Sequence, residues 1–137
     1  MTYLLDTNIC IFAMKGRAHL VERLQARDPE ELTVSTISLA ELRFGARKSR
    51  DPERMRAVHD AFLEPFMRLD FTAEAAEHYA EIRFGLEQRG TPIGERDQLI
   101  AAIALANGCT LVTNNLGEFQ RIPGLVVVDW SVPPPDH

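Results

Sequence analysis

The sequence predicts an α/β fold: one domain whose mostly parallel central sheet of about five strands carries helices on both faces. Three observations predict it. Short apolar, β-branched runs recur along the chain and are separated by longer segments of helical periodicity. The elements follow the order β-α-α-β-α-α-β-α-α-β-β, and a strand joined to the next through helices feeds a parallel neighbour. The runs Tyr3–Leu5 and Leu111–Val112 are the most apolar of those leading into polar residues. They are therefore expected as two central strands flanking a topological switch point.

Taken in order, Tyr3-Leu4-Leu5 reads as a buried strand delivering Asp6, Thr7 and Asn8 at its C-terminal end. Ile9–Met14 reads as a short helix and Ala18–Gln25 as a second, with leucines and a valine at helical spacing. Leu32–Thr36 is β-branched and reads as a strand. Ser38 is expected to cap a helix over Leu39–Lys48, with Glu41 completing a Ser-x-x-Glu capping box. Asp51-Pro52 starts the next helix, with proline at its first position and Val58, Phe62 and Phe66 at helical spacing. Met67–Phe71 suits a short edge strand. Thr72 opens the longest helix, which runs to about Gln88 with Tyr79, Ile82 and Leu86 on one face and Gly90 as its stop. Beyond the loop Gly90–Gly94, the segment Asp97–Asn107 is apolar nearly all round, so burial on more than one side is expected. Thr110–Thr113 is a strand ending in Asn114-Asn115, and Leu125–Val128 is the last. Residues 1–131 are expected to form the folded unit, and the proline-rich tail 132–137 to fray.

Composition bounds the function. At 137 residues, 45% apolar and 26% charged, the chain is an ordinary globular domain with room for a real core. It holds no apolar run near bilayer length and no charged-then-apolar leader, so a cytoplasmic protein with no membrane partner is expected. Cys10 and Cys109 fit no metal-ligand spacing and are expected to be free, buried thiols. The net charge of −5 argues against a general nucleic-acid binder. Six of the fifteen basic residues nevertheless fall between Leu42 and Arg56, among them Arg43, Arg47 and Lys48, against two acids. That segment is either a phosphate-facing patch or a solvated helix face. His19, His59, His78 and His137 are scattered with no Ser or Cys elbow to serve, and neither a P-loop nor a dinucleotide fingerprint is present. Asp6 also lacks the second acid, two residues on, of a phosphoaspartyl enzyme. Trp130 suits either base stacking or packing.

The polar ends carry the chemistry. Asp6 follows the first strand, Glu41 begins the helix after the second, Asp97 begins the buried helix, and Asn114, Asn115 and Glu118 follow the strand 110–113. In a doubly wound sheet, strand C-termini and helix N-termini share one edge. Each acid also has a local role at a helix start, Asp6 as an N-cap. Several acids on one edge repel one another unless a cation neutralises them. Oxygen donors without His or Cys point to Mg2+ or Mn2+ rather than zinc. Thr7, Asn8, Thr113 and Asn114 are either hydrogen-bonders that hold these acids or plain turn and cap residues.

Four motifs in register then resemble one family: Leu4-Leu5-Asp6-Thr7-Asn8, Ser38-Leu39-Ala40-Glu41-Leu42, Pro92-Ile93-Gly94-x-x-Asp97-x-x-Ile100-Ala101-Ala102, and Leu111-Val112-Thr113-Asn114-Asn115 with Glu118-Phe119. They look like the PIN-domain family, and more narrowly the VapC-type toxins of VapBC toxin–antitoxin pairs. The tract Gly90–Gly94 with Val112–Asn115 and Arg121–Gly124 resembles the enteric subgroup. The resemblance implies a Mg2+-dependent endoribonuclease, a homodimer silenced by a cognate VapB-type antitoxin, with a higher assembly on operator DNA. It implies RNA as substrate, initiator tRNA within the subgroup, with Asp6 and Asp97 as metal ligands and Glu41 as third acid. Many members carry an aspartate where this chain has Asn115, so Glu118 is expected to stand in for it. A catalytically silent module acting through antitoxin and operator, and a nuclease acting on structured DNA, are the alternative readings.

Overall fold

The computed structural model of the chain describes residues 1–133. Strand β1 (Tyr3–Leu5) leads into α1 (Thr7–Met14) and α2 (Ala18–Gln25), and a 3-10 turn (Pro29–Glu31) precedes β2 (Leu32–Ser35). Then come α3 (Thr36–Arg47), α4 (Pro52–Leu63), edge strand β3 (Met67–Leu69), α5 (Ala73–Arg89), α6 (Glu95–Ala106), β4 (Thr110–Val112), the one-turn α7 (Leu116–Phe119) and β5 (Val127–Val128). The five strands are all parallel in the order β3-β2-β1-β4-β5. The chain leaves β1 toward β2 and β3, then returns to lay β4 on its other side. The gap between β1 and β4 is thus the expected switch point.

Successive strand residues point to opposite faces, and the core divides accordingly. Leu4 and Leu111 face α5, α6 and α7, packing with Ile82, Leu86, Ile100, Ile103 and Phe119. Tyr3, Leu5 and Val112 face the other layer, with Ile9 of α1, Leu20 and Leu24 of α2 and Leu63 of α4. In α6, Ile100 through Ala104 are all buried, as the all-round apolar pattern requires. Small alanines let that helix sit close to both the sheet and α5. Gly90 closes α5 at φ +67°, a left-handed turn that glycine adopts without Cβ strain.

Several boundaries differ from the expected ones. Helix α3 starts at Thr36, capped by Ser35, whose hydroxyl accepts from Ser38 N at 3.0 Å. Ser38 is therefore the third helical residue and no cap, and the capping-box account of Glu41 fails. The cause is that β2 runs straight into the helix, so the first suitable hydroxyl at the strand end takes the cap. In the same way α1 starts at Thr7 rather than Ile9, with Asp6 as cap, and α6 starts at Glu95 rather than Asp97, with Gly94 as cap. Helix α4 ends at Leu63, burying His59 and Leu63, while Val58 is exposed and Phe66 lies beyond the helix. Strand β5 is shorter than expected, and Val126 is exposed. Trp130 packs: it is buried with its ring centroid 4.7 Å from that of Tyr3. Cys10 and Cys109 are buried free thiols. The tail expected to fray lies, from Pro134 onward, outside the described residues.

Candidate active site

Register sets the polar positions abreast. Leu5 is level with Val34 and with Val112, and Val112 is level with Val128. The residues that follow, Asp6, Ser35, Thr113 and Asp129, therefore share the carboxyl edge of the sheet. Asp6 is 5% exposed, and its Oδ1 accepts from Ile9 N at 2.9 Å, so it does cap α1. It is also hydrogen-bonded by the buried Thr113 hydroxyl. Burial pushes its carboxyl above the usual carboxylate range; the Thr113 and Ile9 bonds oppose the shift, and the charges of Glu41 and Asp129 add to it. The cap role and the site role coincide in one side chain.

Because α3 begins at Thr36, Glu41 falls in its second turn and reaches back over the end of β1. Thr7 Oγ1 donates to Glu41 Oε1 at 2.7 Å and is hydrogen-bonded to Ser38 Oγ at 2.9 Å. Glu41 Oε2 lies 3.4 Å from Nη1 of Arg96. Asp97, third residue of α6, completes the approach from the other side of the switch point. Burial first, then the charge of Glu118, the charge of Asp6, a hydrogen bond to Glu118 and the charge of Glu41 push its carboxyl up to about 6. Glu118 arrives on α7, where its Oε2 accepts from Asn115 Nδ2 at 2.9 Å. Asn115 N in turn donates to Thr113 Oγ1 at 3.0 Å. Asp6, Glu41, Asp97 and Glu118 thus come together, with Thr7, Thr113 and Asn115 holding three of them.

Other expected site residues lie apart. Asn8 and Asn114 are exposed, and among the described hydrogen bonds neither reaches an acid. Arg43 turns toward α4 and is tied to Asp60, which it holds below the usual carboxylate range. Arg47 and Lys48 are exposed at the far end of α3. Glu41 and Lys48 are seven residues, about two turns, apart and so share one face of the helix. Lys48 Nζ sits 4.5 Å above the ring of the exposed Phe44 between them. Two contributors escaped the sequence reading. Asp129 follows a strand just as Asp6 does, a signal that was legible; Arg96 meets Glu41 only through the packing of α6 beside α3.

This donor set suits a hard divalent cation. Its ligands are all oxygens, two carboxyls are held above their ordinary range, and like charges gather at one edge. Among the described residues no three acidic, His or Cys side chains already close on one point. Coulomb repulsion acts over several ångströms, whereas a Mg2+–oxygen bond spans about 2.0–2.1 Å, so acids can sense one another without forming a cage.

A sequence model of the PIN domain matches residues 3–125. The chain is 44% identical over 131 residues to the tRNA(fMet)-specific endonuclease VapC of Salmonella typhimurium, covering 95% of this chain and 98% of that protein. It is 41% identical over 131 residues to the tRNA(fMet)-specific endonuclease VapC of Shigella flexneri, covering 96% and 99%. It superposes with a TM-score of 0.90, at 41% identity, on a chain of VapBC2 from Rickettsia felis bound to a promoter DNA fragment, covering 95% of this chain and 99% of that one.

Proposed function

The chain belongs to the PIN-domain family, and we propose from its site that it is a Mg2+-dependent endoribonuclease, the toxin of a VapBC-type toxin–antitoxin pair. One observation carries the reading: Asp6, Glu41, Asp97 and Glu118 face one another at the carboxyl edge of the sheet, and the other three all raise the pKa of Asp97. Asp6 and Asp97 are the proposed metal ligands, for Mg2+ with Mn2+ as substitute. Those two carboxylates would hold the ion, and the chemistry it would supply there is polarisation of the scissile phosphate and a lowered pKa for a water. Glu41, steadied by Thr7, orients the attacking water; Thr113 keeps Asp6 turned into the site; Asn115 keeps Glu118 beside Asp97. Asn8 and Asn114 are left to the exposed rim. In-line attack by that water needs no 2′-hydroxyl and leaves 5′-phosphate and 3′-hydroxyl ends.

The similarity to two tRNA(fMet)-specific endonucleases supports initiator tRNA as the substrate. A VapB-type antitoxin and operator DNA are the proposed partners, on the likeness to the DNA-bound VapBC2 complex. Residues 1–131 form the nuclease unit. A homodimer is the proposed oligomeric state. Among the described residues no helix is long and apolar enough to cross a membrane, and the cytoplasm is the proposed compartment.

The direct test is cleavage of a tRNA(fMet) transcript with Mg2+, with Mn2+ and with excess chelator. Cleavage should occur with either ion and cease with chelator; activity persisting in chelator removes the metal mechanism. Glu118 is tested separately. Glu118→Gln should raise the Mg2+ concentration for half-maximal cleavage, and adding Asn115→Asp should partly restore it. Titration curves of both variants that overlay the wild type would confine the acidic site to Asp6, Glu41 and Asp97.

For the basic segment, Arg47→Gln with Lys48→Gln should weaken RNA binding and flatten its salt dependence by roughly one unit of slope per lost phosphate contact. Arg43→Gln should add less, because its charge is engaged by Asp60. An unchanged slope returns the segment to a solvated helix face.

A further inference from the structure

We propose that Arg96 is a substrate-phosphate contact on the rim of the acidic site, its guanidinium gripping the RNA backbone while it steadies Glu41. The inference rests on the ribonuclease reading above. Arg96 occupies the first turn of α6, between Glu95 and Asp97. The exposed N–H groups of a helix start carry partial positive charge and disfavour a cation, so the helix itself gives this arginine no reason to be there. What it meets is the site: Nη1 stands 3.4 Å from Glu41 Oε2. Among the described ion pairs, this is the one that joins a cation to any of the four acids.

The geometry leaves the guanidinium free to do more. The Arg96 side chain is 67% exposed against 22% for Glu41, so the acid lies inside and the arginine over it, facing solvent. A guanidinium has five N–H donors in a planar fork, and the contact to Glu41 uses one edge of it. The remaining donors suit the non-bridging oxygens of a phosphodiester, which a bidentate arginine matches in shape as well as charge. A strongly anionic site needs such a group, because four carboxylates repel an incoming phosphate until positive charge offsets them. A guanidinium offers donors and no acceptor, so its contribution is to binding and orientation.

The experiment compares wild type, Arg96→Ala and Arg96→Lys on a tRNA(fMet) transcript at saturating Mg2+ and several salt concentrations. Arg96→Ala should raise KM about tenfold or more, the size of a lost charge-assisted hydrogen bond. It should also reduce the salt slope by about one unit. Arg96→Lys should recover the slope but only part of KM, having the charge without the fork. Calorimetric titration of Mn2+ without RNA should give equal or tighter binding in Arg96→Ala, since a competitor for Glu41 has gone. Unchanged KM and salt slope overturn the proposal. So does a loss confined to kcat with weaker Mn2+ binding, which would make Arg96 only a strut for Glu41. If wild type fails to cut the transcript, the ribonuclease reading fails by itself. Arg96 is then judged by fluorescence anisotropy in the Asp97→Asn background, where equal RNA affinity with and without Arg96→Ala sinks it.

Discussion

Asp97→Asn is expected to abolish RNA cleavage, lowering kcat by at least about 100-fold, while making the metal-free protein more stable near neutral pH. Asparagine matches aspartate in volume, so α6 and its capping by Gly94 are preserved. What disappears is the charge. The Asp97 carboxyl is pushed up to about 6 by burial and by Glu118, Asp6 and Glu41, so ionising it at pH 7 works against the fold. The sign follows from linkage. A carboxyl whose folded pKa lies above its unfolded value stabilises the protein fully only below the unfolded pKa, near 4, and that stability is lost as pH rises through about 6. Chelated wild type should therefore lose stability across that window. Asp97→Asn should lose less of it, by on the order of 1 kcal/mol once solvent screening of a half-exposed group is allowed for. Thermal melts from pH 4 to 7.5 in chelator, beside cleavage assays in Mg2+, check both halves. A variant that cleaves like wild type would show the site to be misplaced.

Phe119→Ala is the substitution expected to damage the fold most, costing about 3–5 kcal/mol, against a total of about 5–15 for a domain of this kind. Phe119 heads the fully buried side chains and packs in the layer that holds Leu4, Leu111 and Ile103. It is also the apolar anchor of α7, a helix of one turn that cannot hold its shape alone. Glu118, its neighbour, depends on that anchoring to stay beside Asp97. Urea unfolding should show a lower midpoint at unchanged slope, and Phe119→Leu should recover most of the loss. A cost below about 1 kcal/mol would mean that the α7 segment is held by something else.

Much of this was legible because it is local. Apolar runs of strand length, helical spacing in α2, α5 and α6, and Gly90 as a stop are patterns within one element, and all five parallel strands were placed from them. The acids were legible too, since a carboxylate just after a strand or near a helix start must lie on one edge of a doubly wound sheet. The same rule applied to Leu125–Val128 would have found Asp129. Ser38 shows where pattern failed. Ser35 and Ser38 both suit a cap, and nothing within the segment chooses between them. The choice was made by β3: Leu69 pairs with Ser35, so β2 extends to Ser35 and the helix starts at the next residue. That single shift removed the capping role from Glu41 and left it to Thr7 and Arg96.

By itself, then, the sequence determined which segments are strands and helices, that they alternate into a parallel sheet, and that the acids gather at its carboxyl edge. The tertiary structure decided what each acid is bound to. Glu41 meets Thr7 from 34 positions away, and a buried Ser38 backs that contact from 31. The carboxyl of Asp97 is raised by charges just after β1, on α3 and on α7. Periodicity and caps are satisfied within a few residues, so the chain displays them directly. Hydrogen bonds and Coulomb energies depend on ångström separations between distant segments, and those exist only once the strands have taken their register and the helices have packed.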